Sequence, residues 1–134
     1  MKGIIDSSIW IALKSKDGEL RVKSQNIIKE FLNNKIKEIY ITDYVLLETI
    51  NFLLRKTNFE ASSEVYKGIL ENTNIIYIDE LMIHEILEIF KKYKDLSITD
   101  CSLILLSNKK EIKEIYSFDS GFDKVKGIIR KEAI

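Results

Sequence analysis

The chain has 134 residues, equal numbers of basic and acidic side chains, 46% hydrophobic residues and one cysteine, Cys101. This composition supports a buried core under a charged exterior, and it excludes both a disordered chain and an internal disulfide. No apolar run approaches the roughly 18 residues of a membrane span, and the first residues, MKGIID, are charged where a signal peptide is apolar. We therefore expect a cytoplasmic protein with no membrane contact, folded as one domain over residues 1–134.

Strand and helix patterns alternate along the chain. Short runs of β-branched and aromatic residues predict strands at KGIID, EIYIT, NIIYID and EIYSFD, with a final short strand near KGIIR. Between them, apolar residues recur at the 3.6-residue spacing of an α-helix within residues 27–32, 45–54, 83–90 and 103–106. The strand runs have no polar face, as expected when helices cover both sides of a parallel sheet. The sequence therefore predicts an α/β protein, a three-layer α/β/α sandwich with a mostly parallel central sheet.

Four acidic residues fall where these elements meet. Asp6 ends the first strand run and Asp119 ends the fourth, while Glu48 lies one to two turns into the helix after EIYIT. Asp100 begins the helix that follows YKDLSIT. Because the carboxyl ends of parallel strands share one edge of the sheet, and ligands bind at that edge, we expect the four carboxylates to meet there.

Four carboxylates at one site repel each other unless protons or cations intervene. Oxygen ligands without a histidine or thiolate cluster favour Mg²⁺ or Mn²⁺ over Zn²⁺ or copper. Such an ion activates water and offsets charge on a phosphoryl group, which indicates phosphodiester hydrolysis. A net charge of zero is unusual for a nucleic-acid binder, but bound cations would make the site more positive.

Each acid also has a purely structural interpretation. An aspartate at a strand end, such as Asp6 or Asp119, is commonly a turn residue or a helix N-cap. Glu48 could occupy an exposed flank of its helix, and Asp100 could be a favourable charge at a helix N-terminus. The functional interpretation rests on all four acids following the same predicted edge.

The neighbouring polar residues have simpler interpretations. Ser97 or Thr99 could cap the helix that contains Asp100. Lys109 and Lys110 form a solvated helix end, although they could also contact RNA phosphates.

Taken together, the four acidic segments resemble the PIN-domain ribonucleases, and in particular the toxins of VapBC-type toxin–antitoxin modules. The matching segments are IIDSSIWIAL around Asp6, ITDYVLLETINFL around Glu48, LSITDCSLILLS around Asp100 and IYSFDSGFDKVKGI around Asp119. No single segment is specific, since each is little more than one acid beside an apolar run. Their order and spacing along nearly the whole chain carry the resemblance.

The resemblance implies a Mg²⁺-dependent endoribonuclease, with Mn²⁺ as an alternative ion, whose active site has four acids: Asp6, Glu48, Asp100 and Asp119. Asp6 and Asp100 would be the principal metal ligands, and Ser8 and Thr99 would orient the carboxylates. It also implies a homodimer, an RNA substrate and a small antitoxin protein as partner.

Three alternatives remain open. The chain could be a housekeeping PIN nuclease that is not a toxin, or a PIN-like module that binds RNA or protein without cutting. A metal-dependent phosphatase on a similar scaffold is disfavoured because Ser7 and Ser8 follow Asp6, where an aspartyl-phosphate enzyme needs a second aspartate two residues on.

Overall fold

The structure, a computed structural model, describes residues 2–34 and 38–134. Its strands are β1 (Lys2–Ile5), β2 (Glu38–Thr42), β3 (Thr73–Ile76), β4 (Glu114–Tyr116) and β5 (Ile129–Lys131). They form one sheet in the order β3-β2-β1-β4-β5, and every neighbouring pair is parallel. The predicted α/β class with a parallel central sheet is confirmed.

Helices fill the connections between strands. They are α1 (Ser7–Ala12), α2 (Gly18–Asn33), α3 (Asp43–Lys56), α4 (Phe59–Asn72), α5 (Glu80–Lys92) and α6 (Ile98–Lys110), with a short 3₁₀ helix at Ser120–Lys124. Two helices therefore separate β1 from β2, β2 from β3 and β3 from β4. The periodicity of the sequence predicted α2, α3, α5 and α6 and did not identify α1 or α4.

The strands lie where the apolar runs predicted them, although several are shorter. EIYIT coincides with β2, but only the start of NIIYID is in β3, and residues 77–79 lie beyond it. Ile4, Ile5 and Ile115 have no exposed surface. Burial on both faces of the sheet explains why these strands read as continuous apolar runs.

Side-chain caps define where most helices begin. The oxygen of Thr42 accepts a hydrogen bond from Val45 N at 3.3 Å, and Asn58 Oδ1 accepts one from Ala61 N at 2.8 Å. These bonds satisfy backbone donors that have no partner inside the helix. Within residues 2–34 and 38–134, no helix has both the length and the hydropathy needed to cross a membrane.

Candidate active site

Topology brings the first and last of the four acids to the same edge of the sheet. Asp6 directly follows β1, and its backbone N–H donates to Tyr116 O, at the end of the adjacent β4, at 3.0 Å. Asp119 follows three residues after Tyr116. Glu48 is in the second turn of α3, and Asp100 is in the first turn of α6. Both helices start at or near the carboxyl edge, as the sequence predicted.

Asp6 is the most deeply buried of the four, with 2% of its surface exposed. Two hydroxyl groups hold its Oδ2 atom, since Ser117 Oγ donates at 2.7 Å and Ser8 Oγ donates at 3.0 Å. Burial raises the pKa of Asp6, and the hydrogen bonds from Ser117 and Ser8 oppose that shift. Ser8 contacts Asp6 as the resemblance implied, whereas its effect on function stays a prediction.

Ser117 connects Asp6 to Asp119. Its buried hydroxyl donates to Asp6 and also accepts a hydrogen bond from the backbone N–H of Asp119 at 2.9 Å. The backbone carbonyl of Ser117 is held in turn by Arg130 Nη1 at 3.1 Å. Sequence reasoning did not select Ser117, although it lies two residues before Asp119 in the segment IYSFDSGFDKVKGI.

Glu48 is joined to Asp6 through Ser7. The Ser7 hydroxyl lies 2.7 Å from Glu48 Oε2 and 3.4 Å from Asp6 Oδ1. Partial burial raises the pKa of Glu48, the hydrogen bond from Ser7 lowers it, and the charge of Asp6 raises it further. Glu48 is therefore not a solvated flank residue but part of the same hydrogen-bonded group as Asp6.

Asp100 is held by the first turn of its own helix. Ser97 Oγ accepts from Asp100 N at 3.0 Å, and Asp100 Oδ2 accepts from Ser97 N at 3.2 Å, which is a complete capping box. Burial, and next the charge of Asp6, raise the pKa of Asp100 to about 7, with a smaller contribution from Asp119. Asp100 therefore lies at the N-terminus of its helix, as expected, and it is also coupled electrostatically to Asp6 and Asp119.

Ser97, and not Thr99, caps α6, because the cap must precede the first helical residue, Ile98. The backbone carbonyl of Thr99 accepts from Ser102 Oγ at 2.6 Å. Among the described residues, no hydrogen bond joins the Thr99 side chain to any of the four acids. Its orienting role stays a prediction, and Ser97 is the hydroxyl residue that contacts Asp100.

Asp119 and Asp123 have different environments although they are four residues apart. Asp119 Oδ1 accepts from Gly121 N at 2.8 Å, so this exposed residue also caps the 3₁₀ helix. Asp123 instead forms a bidentate ion pair with Arg130, at 2.8 and 3.2 Å. That hydrogen-bonded pairing lowers the pKa of Asp123. By contrast, no salt bridge within the described ranges involves any of the four predicted acids.

Ser7 thus joins the carboxylates of Asp6 and Glu48 through one hydroxyl group, whereas Asp100 is coupled to Asp6 and Asp119 by charge repulsion. In the part of the chain that the structure describes, no three His, Cys, Asp or Glu side chains converge closely enough to enclose a metal ion in this conformation. The donor chemistry nevertheless fits a hard divalent cation, because all the available ligands are carboxylate oxygens. Three of these carboxyl groups have raised pKa values, and a cation would supply the missing positive charge.

Lys109 and Lys110 lie away from this group. Lys109 pairs with Glu85 at 3.2 Å, and the ammonium of Lys110 lies 5.8 Å from the ring centroid of Tyr40. Both end the helix that Asp100 begins, so roughly 15 Å of helix separates them from Asp100. Their predicted solvated position fits the structure, and their contact with RNA phosphates stays a prediction.

Cys101 has no exposed surface, and burial raises the pKa of its thiol to about 11. It therefore stays a protonated core residue at neutral pH.

Comparison with known proteins identifies the relationship. The chain matches the PIN domain family over residues 4–128. VapC20 of Mycobacterium tuberculosis, described as a toxin that cleaves the Sarcin-Ricin loop, aligns with a TM-score of 0.76 at 19% identity, covering 90% of this chain and 92% of that chain. VapBC2 of Rickettsia felis, solved bound to a DNA fragment from its promoter, aligns with a TM-score of 0.72 at 13% identity, and the alignment covers 98% of each chain. VapBC-1 of nontypeable Haemophilus influenzae aligns with a TM-score of 0.67 at 16% identity, covering 98% of this chain and 97% of that chain. No curated protein sequence matches significantly.

Proposed function

Because the chain belongs to the PIN domain family, we propose that it is a divalent-cation-dependent endoribonuclease and the toxin of a toxin–antitoxin pair. The observation that carries this proposal is the group of four acids at the carboxyl edge. Asp6 and Asp100 are 2% and 8% exposed, and both have raised pKa values without a cationic side chain from the described residues to offset them. Such an arrangement costs folding free energy, and a function that needs a cation there explains its presence.

In this proposal Asp6 and Asp100 are the principal ligands of Mg²⁺, or of Mn²⁺, and Glu48 and Asp119 complete the acidic pocket. When bound, the cation activates water as the nucleophile and offsets the charge that develops on the phosphoryl group. Water oxygen bonds to phosphorus, the bond to the ribose 3′ oxygen breaks, and that oxygen gains a proton. The products are a 5′-phosphate and a 3′-hydroxyl.

The hydroxyl residues of the chain fix the carboxylates before substrate arrives. Ser117 and Ser8 hold one oxygen of Asp6, and Ser7 holds Glu48. The capping box with Ser97 fixes Asp100 on the first turn of α6. Because burial and Asp6 raise the pKa of Asp100 to about 7, part of the population holds a proton on this carboxyl group at neutral pH, and Asp100 would have to lose it before serving as a ligand.

The partners belong to the same proposal. Two proteins of similar fold, from Rickettsia felis and Haemophilus influenzae, were solved as VapBC assemblies. We extend this to a small antitoxin for the present chain, together with a homodimer of the chain itself, an RNA substrate and a cytoplasmic location. Light scattering tests the dimer, and co-purification with the product of the adjacent reading frame tests the antitoxin.

A housekeeping nuclease would use the same site on a different RNA. The absence of an adjacent antitoxin gene would favour it. A module that only binds RNA gains nothing from burying Asp6 and Asp100, which is why we place it behind both nuclease alternatives.

The direct test is cleavage of end-labelled RNA. We expect the parent protein to cut with Mg²⁺ and to stop when EDTA is added, and we expect Asp6→Asn to be inactive under both conditions. Asp123→Asn is the matched control, because Asp123 pairs with Arg130 instead of joining the four acids. Cleavage by Asp6→Asn at the parent rate, or unchanged cleavage in EDTA, would rule out the proposed site.

A further inference from the structure

A cleft with a volume of about 420 Å³ lies between the segment that connects α5 to α6 and the 3₁₀ helix. Four lysines line it, and we call it the lysine cleft: Lys91, Lys92, Lys94 and Lys124. Asp95 is the only acid among its lining residues. The cleft is therefore locally basic in a chain whose formal net charge is zero.

The lysine cleft borders the acidic site on the side of Asp100 and Asp119. Leu96, a buried lining residue, immediately precedes Ser97, which caps the helix of Asp100. Gly121 lines the opposite wall, and its N–H donates to Asp119 Oδ1 at 2.8 Å. A Cβ atom on Gly121 would lie only 2.6 Å from Leu96 Cδ2, so the missing side chain lets the two walls meet.

Ordinary structural roles account for only part of this basic surface. Lys91 and Lys124 pair with neighbouring carboxylates at 2.9 and 3.0 Å. Lys92 and Lys94 are exposed and form no ion pair with any described residue. Lys91 and Lys92 complement the C-terminal dipole of α5, but that effect explains neither Lys94 nor Lys124, which lie outside the helix.

We propose, on the basis of the proposed ribonuclease function, that the lysine cleft binds backbone phosphates of the RNA strand beside the scissile bond. Lysine ammonium groups recognise phosphates as point charges, and phosphate contacts fix a strand without reading its sequence. Half-buried Tyr93, which also lines the cleft, offers an aromatic ring beside the strand. The cleft also supplies the local positive charge that the composition of the whole chain lacks.

The test measures RNA binding in an Asp100→Asn background, so that the probe is not cut. The variant pair is Lys92→Gln with Lys94→Gln. The control pair, Lys29→Gln with Lys67→Gln, removes the same charge from exposed positions on α2 and α4, outside the residues that line the cleft. Fluorescence anisotropy follows a short labelled single-stranded RNA of mixed sequence over a series of KCl concentrations.

We expect the cleft pair to weaken RNA binding on the order of tenfold and to reduce the slope of log K against log salt by about 1.4, which is roughly 0.7 for each of the two lost phosphate contacts. We expect the control pair to change affinity by less than about twofold, because distant exposed charges are screened. An equal loss of RNA affinity in the cleft pair and the control pair would mean that RNA is attracted by the overall charge of the protein, and it would overturn the proposal. Unchanged binding by the cleft pair would also overturn it and would leave the cleft to another partner, such as an acidic protein segment.

Failure of this inference can be separated from failure of the proposed function. If the parent protein binds RNA through the cleft but cuts none with Mg²⁺, the cleft assignment stands and the ribonuclease assignment fails. If the parent cuts RNA and the cleft pair binds and cuts equally well, only the cleft assignment fails.

Discussion

Asp100 combines a structural role with an electrostatic cost. Its carboxylate completes the capping box of α6, which stabilises the helix, while burial and the nearby Asp6 raise its pKa to about 7. An aspartate needed only for capping would cost less folding free energy on the surface, because its charge would be solvated there. The same side chain therefore makes the fold less stable at alkaline pH, and in the proposed function this cost keeps a carboxylate available to a cation.

The raised pKa of Asp100 predicts an unusual pH dependence of the free energy of unfolding when EDTA keeps the protein free of cations. In the unfolded chain Asp100 titrates near 3.8, but in the folded protein it keeps its proton to about pH 7. Between these values the folded state binds more protons, so the free energy of unfolding falls as the pH rises towards and through 7. Asp6 and Glu48 have pKa values raised in the same direction and add to the decline.

Asp100→Asn removes the contribution of Asp100 to this effect while keeping a side-chain oxygen for the capping box. We expect the variant to be more stable than the parent at about pH 8, on the order of 2 kcal/mol, and to have a flatter pH profile. Urea unfolding across the pH range measures both quantities. A parent protein that becomes more stable from about pH 5 to pH 8 would contradict the assigned protonation.

The variant Ser117→Ala tests whether the hydroxyl group that holds Asp6 affects cation binding. Ser117→Ala removes the 2.7 Å hydrogen bond to Asp6, and we expect Mn²⁺ affinity to fall about 10- to 100-fold, as for other residues that orient metal ligands. Ser102→Ala is the matched control, because Ser102 is equally buried but bonds to Thr42 and Thr99. Equal losses of Mn²⁺ affinity in both variants would mean general destabilisation.

From the sequence we selected four acids and Ser8, but not Ser7 or Ser117, whose hydroxyl groups also contact Asp6. An acid at a strand end is visible in a local pattern, and parallel topology brings such acids together. The bond between Ser117 and Asp6 joins residues 111 positions apart, and nothing local identifies Ser117 as its donor. Ser7 was passed over for a similar reason, since its partner Glu48 lies on a different helix.

At the level of secondary structure, the N-terminal cap of α6 also positions Asp100, a residue of the proposed active site. We expect Ser97→Ala to lower the free energy of unfolding by about 1 kcal/mol and to weaken cation binding, because it removes half of the capping box. Thr99→Ala should have a smaller effect on cation binding, since the Thr99 side chain forms no described hydrogen bond to the acids. Chemical unfolding and Mn²⁺ titration compare the two variants. A larger loss of cation affinity in Thr99→Ala would restore Thr99 as the orienting residue.

The elements missed or misplaced by sequence reasoning have physical explanations. The buried face of α4 consists of Ser62, Val65 and Ile69, so its apolar stripe is sparse. The NIIYID run leaves the sheet after Ile76, where Ile78 N donates to the Asp43 carboxylate at 3.0 Å instead of continuing the ladder. The apolar run therefore extends past the strand: Ile78 still packs against the core, whereas Tyr77 is 69% exposed.

At the level of the whole molecule, a parallel sheet brings four separate segments of the chain towards one edge. β1 and β4 are neighbours although more than a hundred residues separate them, so Asp6 and Asp119 reach one edge without any local signal between them. The lysine cleft lies at the same edge, beside Asp119. The fold thus explains why the four acidic segments indicate a function only when they are considered together.

The proposed toxin role predicts a cellular phenotype. We expect expression of the parent chain in a bacterial host to arrest growth, because uncontrolled RNA cleavage stops translation, and expression of Asp100→Asn to leave growth unaffected. Immunoblotting must show equal amounts of both proteins, and circular dichroism of the purified variant must show the parent fold. Growth arrest of similar strength by both proteins would contradict a catalytic origin of the toxicity.

Titration calorimetry with Mn²⁺ examines the acidic site without relying on an RNA substrate. We predict saturable Mn²⁺ binding by the parent and by Asp123→Asn, whose carboxylate is engaged by Arg130, and a loss of at least about tenfold in affinity for Asp6→Asn. No detectable uptake by the parent, or equal uptake by Asp6→Asn, would contradict a cation site formed by Asp6 and its three partner acids.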